Sequence, residues 1–248
     1  MDPDDRKFNR YLPFVIYQNI QKLLEYRKLD LVEGVSYETK KIKKHLNKFV
    51  DHDEFVKDIQ YHGYILIEAK DKPEKERRFA ASISAINKKR EVKTFIILYD
   101  LNSIHTKSSG DFVKSLNKIP GFDSVDRDYN MDILIINHEE LNLHLMKKVD
   151  FYTTEGTASN GFIHLFPYQY KHFSSDRMKH VLIPPHEIIP KEIEKKTMSE
   201  LRNEKRDLPR IRKVDAVAIW LGADTGEIIM AKMNSEAAGI ETKYLLVR

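Results

Sequence analysis

Three prolines in one short run restrict the backbone more than any other feature of this 248-residue sequence. Pro184, Pro185 and Pro190 all stand in the run HVLIPPHEIIP, which begins at His180. Proline donates no backbone hydrogen bond, fixes φ at about −65° and keeps the residue before it out of helical geometry. The run therefore predicts an extended segment with no regular secondary structure before residue 190.

A helix is expected to begin at Pro190, because the first turn of a helix needs no hydrogen bond from that N–H group. One face of the following segment repeats at helical spacing, through Ile193, Thr197, Met198 and Leu201. Pro209 disfavours helical geometry at Leu208, so the predicted helix ends at about Asp207.

Three short segments rich in aliphatic and β-branched residues follow this helix, at 216–220, 227–233 and 244–247. Gly222 and Gly226 separate the first two, and a loop with Gly239 separates the last two, so turns are expected between strands. The C-terminal region, 178–248, is therefore predicted to be a small α+β domain with its sheet near the C-terminus.

Four separated motifs occur in this region in the order HVLIPPHEII, LPRI, DAVAIWLG and GEIIMAKMNSEAAG, followed by an aromatic and aliphatic strand. In this order they resemble the assembly domain of the fifth subunit shared by eukaryotic RNA polymerases, and its archaeal counterpart. Two departures are visible, since the family usually has proline in place of Ala216 and a hydroxyl residue in place of Ala237. They indicate a distant member of the family, from a cellular genome or from a large DNA virus.

The resemblance implies a non-catalytic subunit of a multisubunit DNA-directed RNA polymerase, in which nucleotide addition takes place on other chains. The assembly domain would dock on the largest polymerase subunit, alongside other polymerase subunits. His186, Pro209, Arg210 and Asp215 are the expected interface residues. An equally good interpretation is that Pro209 and Asp215 only shape turns. No catalytic residue, cofactor, metal or small-molecule substrate is expected.

The composition limits the classes of protein that remain. Cysteine is absent, which excludes a disulfide framework, a thiolate metal site and a cysteine nucleophile. No apolar run approaches the length of about 20 residues that spans a bilayer, so no membrane contact is expected. The formal net charge of +4 is compatible with nucleic-acid contact and does not require it. The resemblance implies the nucleus for a cellular protein, and the virion and infected-cell cytoplasm for a viral one.

The ten histidines are scattered along the chain. His180 and His186, with help from His172, come nearest to a zinc-binding arrangement. No thiolate and no regularly spaced histidine pair on a helix accompanies them. Structural histidines are therefore the simpler interpretation, and no metal site is predicted.

The N-terminal region, 1–152, has a different pattern. An amphipathic helix is predicted from about Phe8 to Lys28. Beyond Gly63, apolar strands at 64–67, 94–99 and 133–136 alternate with helical segments, marked by Phe79, Ile83 and Ile86 and by Phe112, Val113 and Leu116. The alternation predicts an α/β domain with a mainly parallel or mixed sheet. Small polar residues follow, so 153–177 is predicted to bridge the two domains.

The runs VKTFII and IHLFPYQYKHFSSDRMKH and the strand at 133–136 more faintly resemble the jaw domain of the same polymerase subunit. That resemblance implies a restriction-endonuclease-like fold without cleavage activity, and a loop that approaches downstream duplex DNA after the last jaw strand. The family carries a TPSA-like motif there, whereas this chain has NHEELNLHLMKK. Asn142, Lys147 and Lys148 are the expected DNA-contacting residues.

An alternative function comes from Glu68-Ala69-Lys70 at the end of the first predicted strand. In restriction-type nucleases such a motif, with an upstream aspartate, places two carboxylates on a divalent cation while the lysine stabilises the attacking water or the phosphate. Asp53 or Asp58 would supply the upstream carboxylate. The alternative is therefore a magnesium-dependent nuclease.

Overall fold

The computed structural model describes residues 3–31, 55–57, 59–60, 63–71, 92–100, 109–124, 127–155, 161–201, 204–235 and 239–248. The described residues up to Ser175 form one compact unit, and those from Asp176 onward form a second. None of the helices in these ranges combines the length and the apolar composition that a bilayer-spanning segment needs.

A five-stranded sheet in the order β1-β2-β3-β4-β5 organises the N-terminal unit. Its elements are α1 (Pro3–Tyr26), β1 (Leu29–Leu31), β2 (Tyr64–Asp71), β3 (Val92–Tyr99), α2 (Ser109–Leu116), β4 (Asn130–Asn137), α3 (Leu143–Glu155) and β5 (Ile163–Gln169). The pairs β1–β2 and β2–β3 are antiparallel, whereas β3–β4 and β4–β5 are parallel. The sheet is therefore mixed, and the predicted helix marked by Phe79 lies outside the described residues.

Both faces of this sheet are buried. Every residue of β3 and β4 is buried except Lys93 and Asp132, which are half-buried. On one face, Phe95 and Ile133 pack with Phe112 of α2 and Leu145 of α3. Residues that alternate with these, such as Ile96, are equally buried, and α1 contacts β1 and β3. Strands covered on both faces need continuous apolar runs, which is what the sequence supplies.

The buried side chain of Arg127 is hydrogen-bonded to the loops around the start of β4. The Arg127 side chain is 5% exposed, and its Nε donates to the Tyr129 carbonyl at 2.9 Å. Its Nη2 donates to the Gly161 carbonyl at 2.9 Å, and Nη1 reaches the Gly121 carbonyl at 3.4 Å and the Phe122 carbonyl at 3.5 Å. Because a buried charge is tolerated only when its donors are satisfied, this fork holds three loop segments in place.

The segment predicted to bridge the domains contributes a strand to the first unit. Residues 163–169 form β5, which pairs in parallel with β4 from Met131 opposite Ile163 to Asn137 opposite Gln169. Ile163 and Leu165 are buried within the core of that sheet. A turn of 3-10 helix at Tyr170–His172 follows the strand. The division between the two compact units falls after Ser175.

The C-terminal unit is a four-stranded sheet in the order β6-β8-β9-β7. Its elements are β6 (His186–Ile188), α4 (Lys191–Leu201), β7 (Arg210–Ile211), α5 (Ala216–Leu221), β8 (Ile228–Ser235) and β9 (Gly239–Val247). One face packs Ile229 and Val247 against Val217 and Leu221 of α5. The other face packs Ile228 and Leu246, with Met198 of α4 against them. The α+β class predicted for this region agrees with these elements.

The prediction of a strand at 216–220 is wrong, because these residues form helix α5. The Asp215 carboxylate accepts a hydrogen bond from the Val217 N–H at 2.9 Å, and Gly222 ends the helix with a left-handed φ of 66°. All residues from Val217 to Leu221 are buried. A helix that is buried on all sides has no polar face, so its sequence is a continuous apolar run like that of a buried strand.

Three other boundaries differ from the prediction. Gly239 was expected in a loop before a strand at 244–247, but strand β9 begins at Gly239. His186–Ile188 form a short strand in the run that was expected to have no regular structure, and the Ile189 N–H donates to the Ile228 carbonyl. The two prolines precede this strand, so they cost it no hydrogen bonds. Helix α4 ends at Leu201, short of Asp207, and a 3-10 turn at Lys205–Asp207 follows.

Candidate functional site

The four predicted interface residues lie in the C-terminal unit, on two separated parts of its sheet. His186 begins β6 and Arg210 begins β7, which are the two outer strands of the sheet. Asp215 interacts electrostatically with His186, whereas Pro209 directly precedes Arg210. The structure therefore brings His186 together with Asp215 and places Pro209 and Arg210 at the opposite edge.

His186 has a neutral, oriented imidazole. Its Nδ1 is hydrogen-bonded to the Pro184 carbonyl, and since a carbonyl can only accept, Nδ1 carries the proton. Burial lowers the pKa of His186, while the Pro184 hydrogen bond and the Asp215 carboxylate oppose that shift. The unprotonated Nε2 is therefore an acceptor for a donor on a partner.

Asp215 has a structural function that the sequence alone left open. Its carboxylate caps the N-terminus of α5 through the Val217 N–H, and its carbonyl accepts from the Ile219 N–H at 2.9 Å. The side chain remains exposed. Asp215 thus shapes the turn before α5 and also presents negative charge beside His186.

Three aliphatic side chains of the same unit are exposed, two of them shortly before His186 in the sequence and one next to Asp215, and none of them was predicted from the sequence. Val181 is 97% exposed, Leu182 is 83% exposed and Val214, next to Asp215, is 68% exposed. The Leu182 N–H donates to His180 Nδ1 at 3.2 Å and the Ile183 N–H donates to the His180 carbonyl at 2.9 Å. These bonds fix the loop with its apolar side chains outward, as expected of a surface that a partner covers.

Pro209 and Arg210 stabilise the C-terminal strand through their backbone. The Pro209 carbonyl accepts from the Leu246 N–H at 2.8 Å, and Arg210 pairs in parallel with Leu246. Both side chains are exposed. The guanidinium of Arg210 is therefore available for a carboxylate on a partner.

The C-terminal unit coincides with a known domain. The family model for the RNA polymerase Rpb5 C-terminal domain matches residues 176–247. DNA-directed RNA polymerase subunit Rpo5 of Methanocaldococcus jannaschii is 34% identical over 68 residues, which cover 27% of this chain and 87% of that subunit. The chain belongs to the Rpb5 family.

Two further Rpo5 subunits agree with this assignment. That of Pyrococcus horikoshii is 38% identical over 69 residues, or 28% of this chain and 84% of its own length. That of Methanosphaera stadtmanae is 32% identical over 74 residues, or 30% of this chain and 96% of its own length. In each case the match is almost the whole relative but less than a third of this chain, so it carries no information on the rest.

Within the part matched to Rpb5, the histidines considered for zinc make local backbone contacts. His180 Nδ1 accepts from the Leu182 N–H. Earlier in the chain, His172 Nδ1 accepts from the Gln169 N–H at 3.3 Å. Across the described residues, no group of three or more histidine, aspartate or glutamate side chains could hold a metal ion. These contacts agree with structural roles for the histidines.

The nuclease-like motif lies outside the Rpb5 match. Glu68, Ala69 and Lys70 lie in the C-terminal half of β2, and Glu68 is opposite Phe95. The motif is therefore near the end of the strand as predicted, but the strand runs to Asp71 and is longer than the predicted 64–67. Tyr129 lies near Glu68, since burial and then the Glu68 charge raise the pKa of the Tyr129 phenol. Both candidate upstream aspartates, Asp53 and Asp58, lie outside the described residues. Nothing in the described part of the chain favours nuclease chemistry.

The predicted DNA-contacting residues also lie outside the Rpb5 match. The expectation that they lie on a loop after the last strand is wrong, because Asn142 precedes helix α3, Lys147 and Lys148 lie within that helix, and β5 follows it. Asn142 Oδ1 accepts from the Leu145 N–H at 2.9 Å and so caps this helix. Lys147 is exposed, and Lys148 is half-buried with its Nζ 5.9 Å from the centre of the Phe151 ring. The two lysines present positive charge on one helix, whereas the Asn142 side chain is occupied with the cap.

Proposed function

We propose that this chain is a non-catalytic subunit of a multisubunit DNA-directed RNA polymerase, anchored by its C-terminal unit to the largest subunit. The observation that carries the proposal is the extent of the match to the Rpo5 subunits. The matched stretches of 68 to 74 residues cover 84 to 96% of those relatives' own lengths, and the family model matches residues 176–247, in the C-terminal unit. This unit is therefore the part of the chain that corresponds to a complete polymerase subunit.

The proposed contact surface, called the anchor surface here, consists of Val181, Leu182, His186, Val214 and Asp215. Its aliphatic members would supply most of the binding free energy, since burying a valine or leucine side chain contributes about 1.5–3 kcal/mol. His186 Nε2 and the Asp215 carboxylate would orient the partner through hydrogen bonds. A mixed apolar and polar surface of this kind is typical of an interface centre with an orienting rim.

Co-purification of the full-length chain with the largest polymerase subunit tests the anchor surface. The variant Leu182→Asp/Val214→Asp should lower the recovered complex by more than about tenfold, because two exposed aliphatic side chains become charged at the contact. Ile193→Asp is the control, since Ile193 is 49% exposed on α4, whose Met198 packs on the face of the sheet opposite to α5. Equal recovery of the double variant and the unmodified chain would contradict the anchoring proposal.

We also propose that the N-terminal unit is the jaw of the polymerase, with a restriction-endonuclease-like arrangement, and that Lys147 and Lys148 contact downstream duplex DNA. The mixed sheet supports the fold, and the two lysines on α3 support the contact. The assembled enzyme would act in the nucleus for a cellular source, or in the virion and infected-cell cytoplasm for a viral one.

Salt dependence measures the DNA contact. In the assembled polymerase, Lys147→Ala and Lys148→Ala should each reduce the slope of log K against log salt by about 0.9, because each removes one phosphate contact. Lys57→Ala is the control for general loss of charge, since Lys57 is an exposed lysine outside α3. Unchanged slopes in both α3 variants would exclude these lysines as phosphate contacts and leave the anchoring proposal intact.

A further inference from the structure

Within the described residues of the C-terminal unit, the outer edge of β9 pairs with no strand over much of its length. Strand β9 pairs with β8 from Gly239 to Leu246, whereas β7 pairs only with Leu246 and Val247. Among the described residues, no strand lies beside the segment from Gly239 to Leu245 on the outer side. All side chains from Ile240 to Lys243 are exposed. An open edge of this length is a template for pairing with another chain.

The backbone groups that face this open edge follow from neighbouring hydrogen bonds. The Leu246 N–H donates outward to the Pro209 carbonyl, and the Val247 N–H donates inward to the Glu227 carbonyl. Successive residues in an antiparallel strand direct their backbone groups to opposite sides. Ile240, Thr242 and Tyr244 therefore present both N–H and C=O to the open side.

We propose that a second copy of this chain pairs with β9 in antiparallel orientation, around a two-fold axis at Thr242. Thr242 is the middle residue of the open segment Gly239–Leu245, so the segment of the second copy occupies the same length and stops where β7 begins. The pairs would be Thr242 with Thr242 of the second copy, and Ile240 with Tyr244 of the second copy. All of these are residues whose backbone groups face outward, as the hydrogen-bonded pairs of an antiparallel ladder require.

Charge complementarity favours a second copy as the occupant. Glu241 and Lys243 lie on one face of β9, 3.8 Å apart between Oε1 and Nζ, and both are about half exposed. In the proposed register, Glu241 lies opposite Lys243 of the second copy, and Lys243 lies opposite its Glu241. Opposite charges directly across a strand pair are stabilising, and like charges are destabilising.

The other face of the strand is complementary in the same register. Ile240 is 69% exposed, and it would lie beside Tyr244 of the second copy. Aromatic and β-branched side chains form favourable cross-strand pairs. The contact is isologous, since each copy uses the same residues, and it would join the two four-stranded sheets into one continuous sheet. This pairing does not depend on the polymerase proposal.

Charge reversal on the full-length chain tests the register. Glu241→Lys places lysines at both positions, and Lys243→Glu places glutamates at both, so each variant repels itself across the two-fold axis. Within one chain the residues opposite on β8 are the uncharged Met233 and Ala231, but each reversal replaces the Glu241–Lys243 ion pair on β9 by two like charges. The mixture of the two variants separates this effect from repulsion across the axis, because it keeps the like charges within each chain and pairs opposite charges between chains. Lys232→Glu on β8 is the matched control, because it lies away from the open edge.

Light scattering after size exclusion, across micromolar to sub-millimolar concentrations, measures the outcome. The unmodified chain and Lys232→Glu should form dimers, whereas Glu241→Lys and Lys243→Glu alone should each be monomers. An equimolar mixture of those two variants should recover the dimer, because lysines then face glutamates at both positions. The proposal would be overturned if the unmodified chain were monomeric, or if both charge-reversal variants still formed dimers. It would also be overturned if the mixture of the two variants stayed monomeric.

Discussion

The two units of this protein differ in how completely their apolar side chains are buried. In the N-terminal unit, strands β3 and β4 are buried along nearly their whole length. The C-terminal unit contains six of the eight large apolar side chains that are exposed in the described residues, namely Val181, Leu182, Ile193, Leu201, Val214 and Ile240. Small domains bury a smaller share of their surface. The C-terminal unit therefore has apolar area left for partners.

Removing the largest buried side chain should give the largest effect and would test whether the units are stabilised separately. Trp220 is fully buried in α5, and Trp→Ala in a core costs about 3–5 kcal/mol. A domain the size of the C-terminal unit has a total stability of only about 4–11 kcal/mol. Trp220→Ala should therefore abolish slow hydrogen exchange in β8 and β9 and leave that of β3 and β4 unchanged.

Phe112→Ala is the matched variant in the N-terminal unit. Phe112 is fully buried on α2, so the cost should also be about 3–5 kcal/mol. Loss of exchange protection should then be confined to β3, β4 and their neighbours. If either variant exposed the amides of both units equally, the two cores would unfold as one, and the contrast between the units would fail.

Substitution of Arg127 should give the next largest loss of stability, because the N-terminal unit also depends on polar contacts. Arg127→Leu leaves the carbonyls of Tyr129 and Gly161 without their donor. Loss of a charged buried hydrogen bond costs about 1.5–3 kcal/mol, and the total is expected to be about 3 kcal/mol in urea denaturation. Arg127→Lys should restore little of this, because lysine lacks the planar fork. Full stability in the lysine variant would show that charge alone matters.

Apolar patterning was sufficient to predict most of the described N-terminal unit. Continuous apolar runs predicted β2, β3 and β4, and apolar residues at helical spacing predicted α1 and α2. The function of Arg127 could not be predicted, since it depends on carbonyls as distant as Gly161, which only the folded loops bring together. The pairing of β5 with β4 was not predicted, because Pro167 and the polar residues after it obscure the apolar pattern of this strand.

In the C-terminal unit the motifs identified the family, but local structure was harder to predict. The run AVAIWL is apolar throughout, so its hydrophobic periodicity could not distinguish a helix from a strand. The residues that indicate a helix are Asp215 and Gly222, which cap its two ends. The exposed aliphatics Val181 and Leu182 precede two prolines, which was a usable sign that they could not enter a regular buried element. That both side chains are exposed to solvent could be seen only in the folded structure.

Helix caps offer a smaller effect that compares one residue in each unit. Asn142→Ala and Asp215→Ala each remove an N-cap acceptor and should cost about 1 kcal/mol in urea denaturation. Asn142→Ser and Asp215→Ser should recover most of that stability, because serine also caps. If Asp215 only shapes the turn, the serine variant will keep full polymerase binding; reduced binding at unchanged stability would assign the carboxylate to the interface.

The pH dependence of the C-terminal unit should be the smallest effect. The pKa of His186 is lowered in the folded protein, so protonation favours the unfolded chain, where histidine titrates at about 6.5. The stability contributed by neutral His186 is therefore complete above that pH and is lost as pH falls through the lower folded value. Trp220, the single tryptophan, reports unfolding of this unit by its fluorescence.

Urea midpoints measured from pH 8 down to pH 5 should fall less in His186→Gln than in the unmodified chain, because glutamine does not titrate. Asp215→Asn should steepen the fall, since it removes the carboxylate that opposes the lowering of the His186 pKa. His180→Gln, at an exposed position, is the control. Identical pH profiles in all four proteins would mean that the His186 imidazole is equally solvated in the folded and unfolded states.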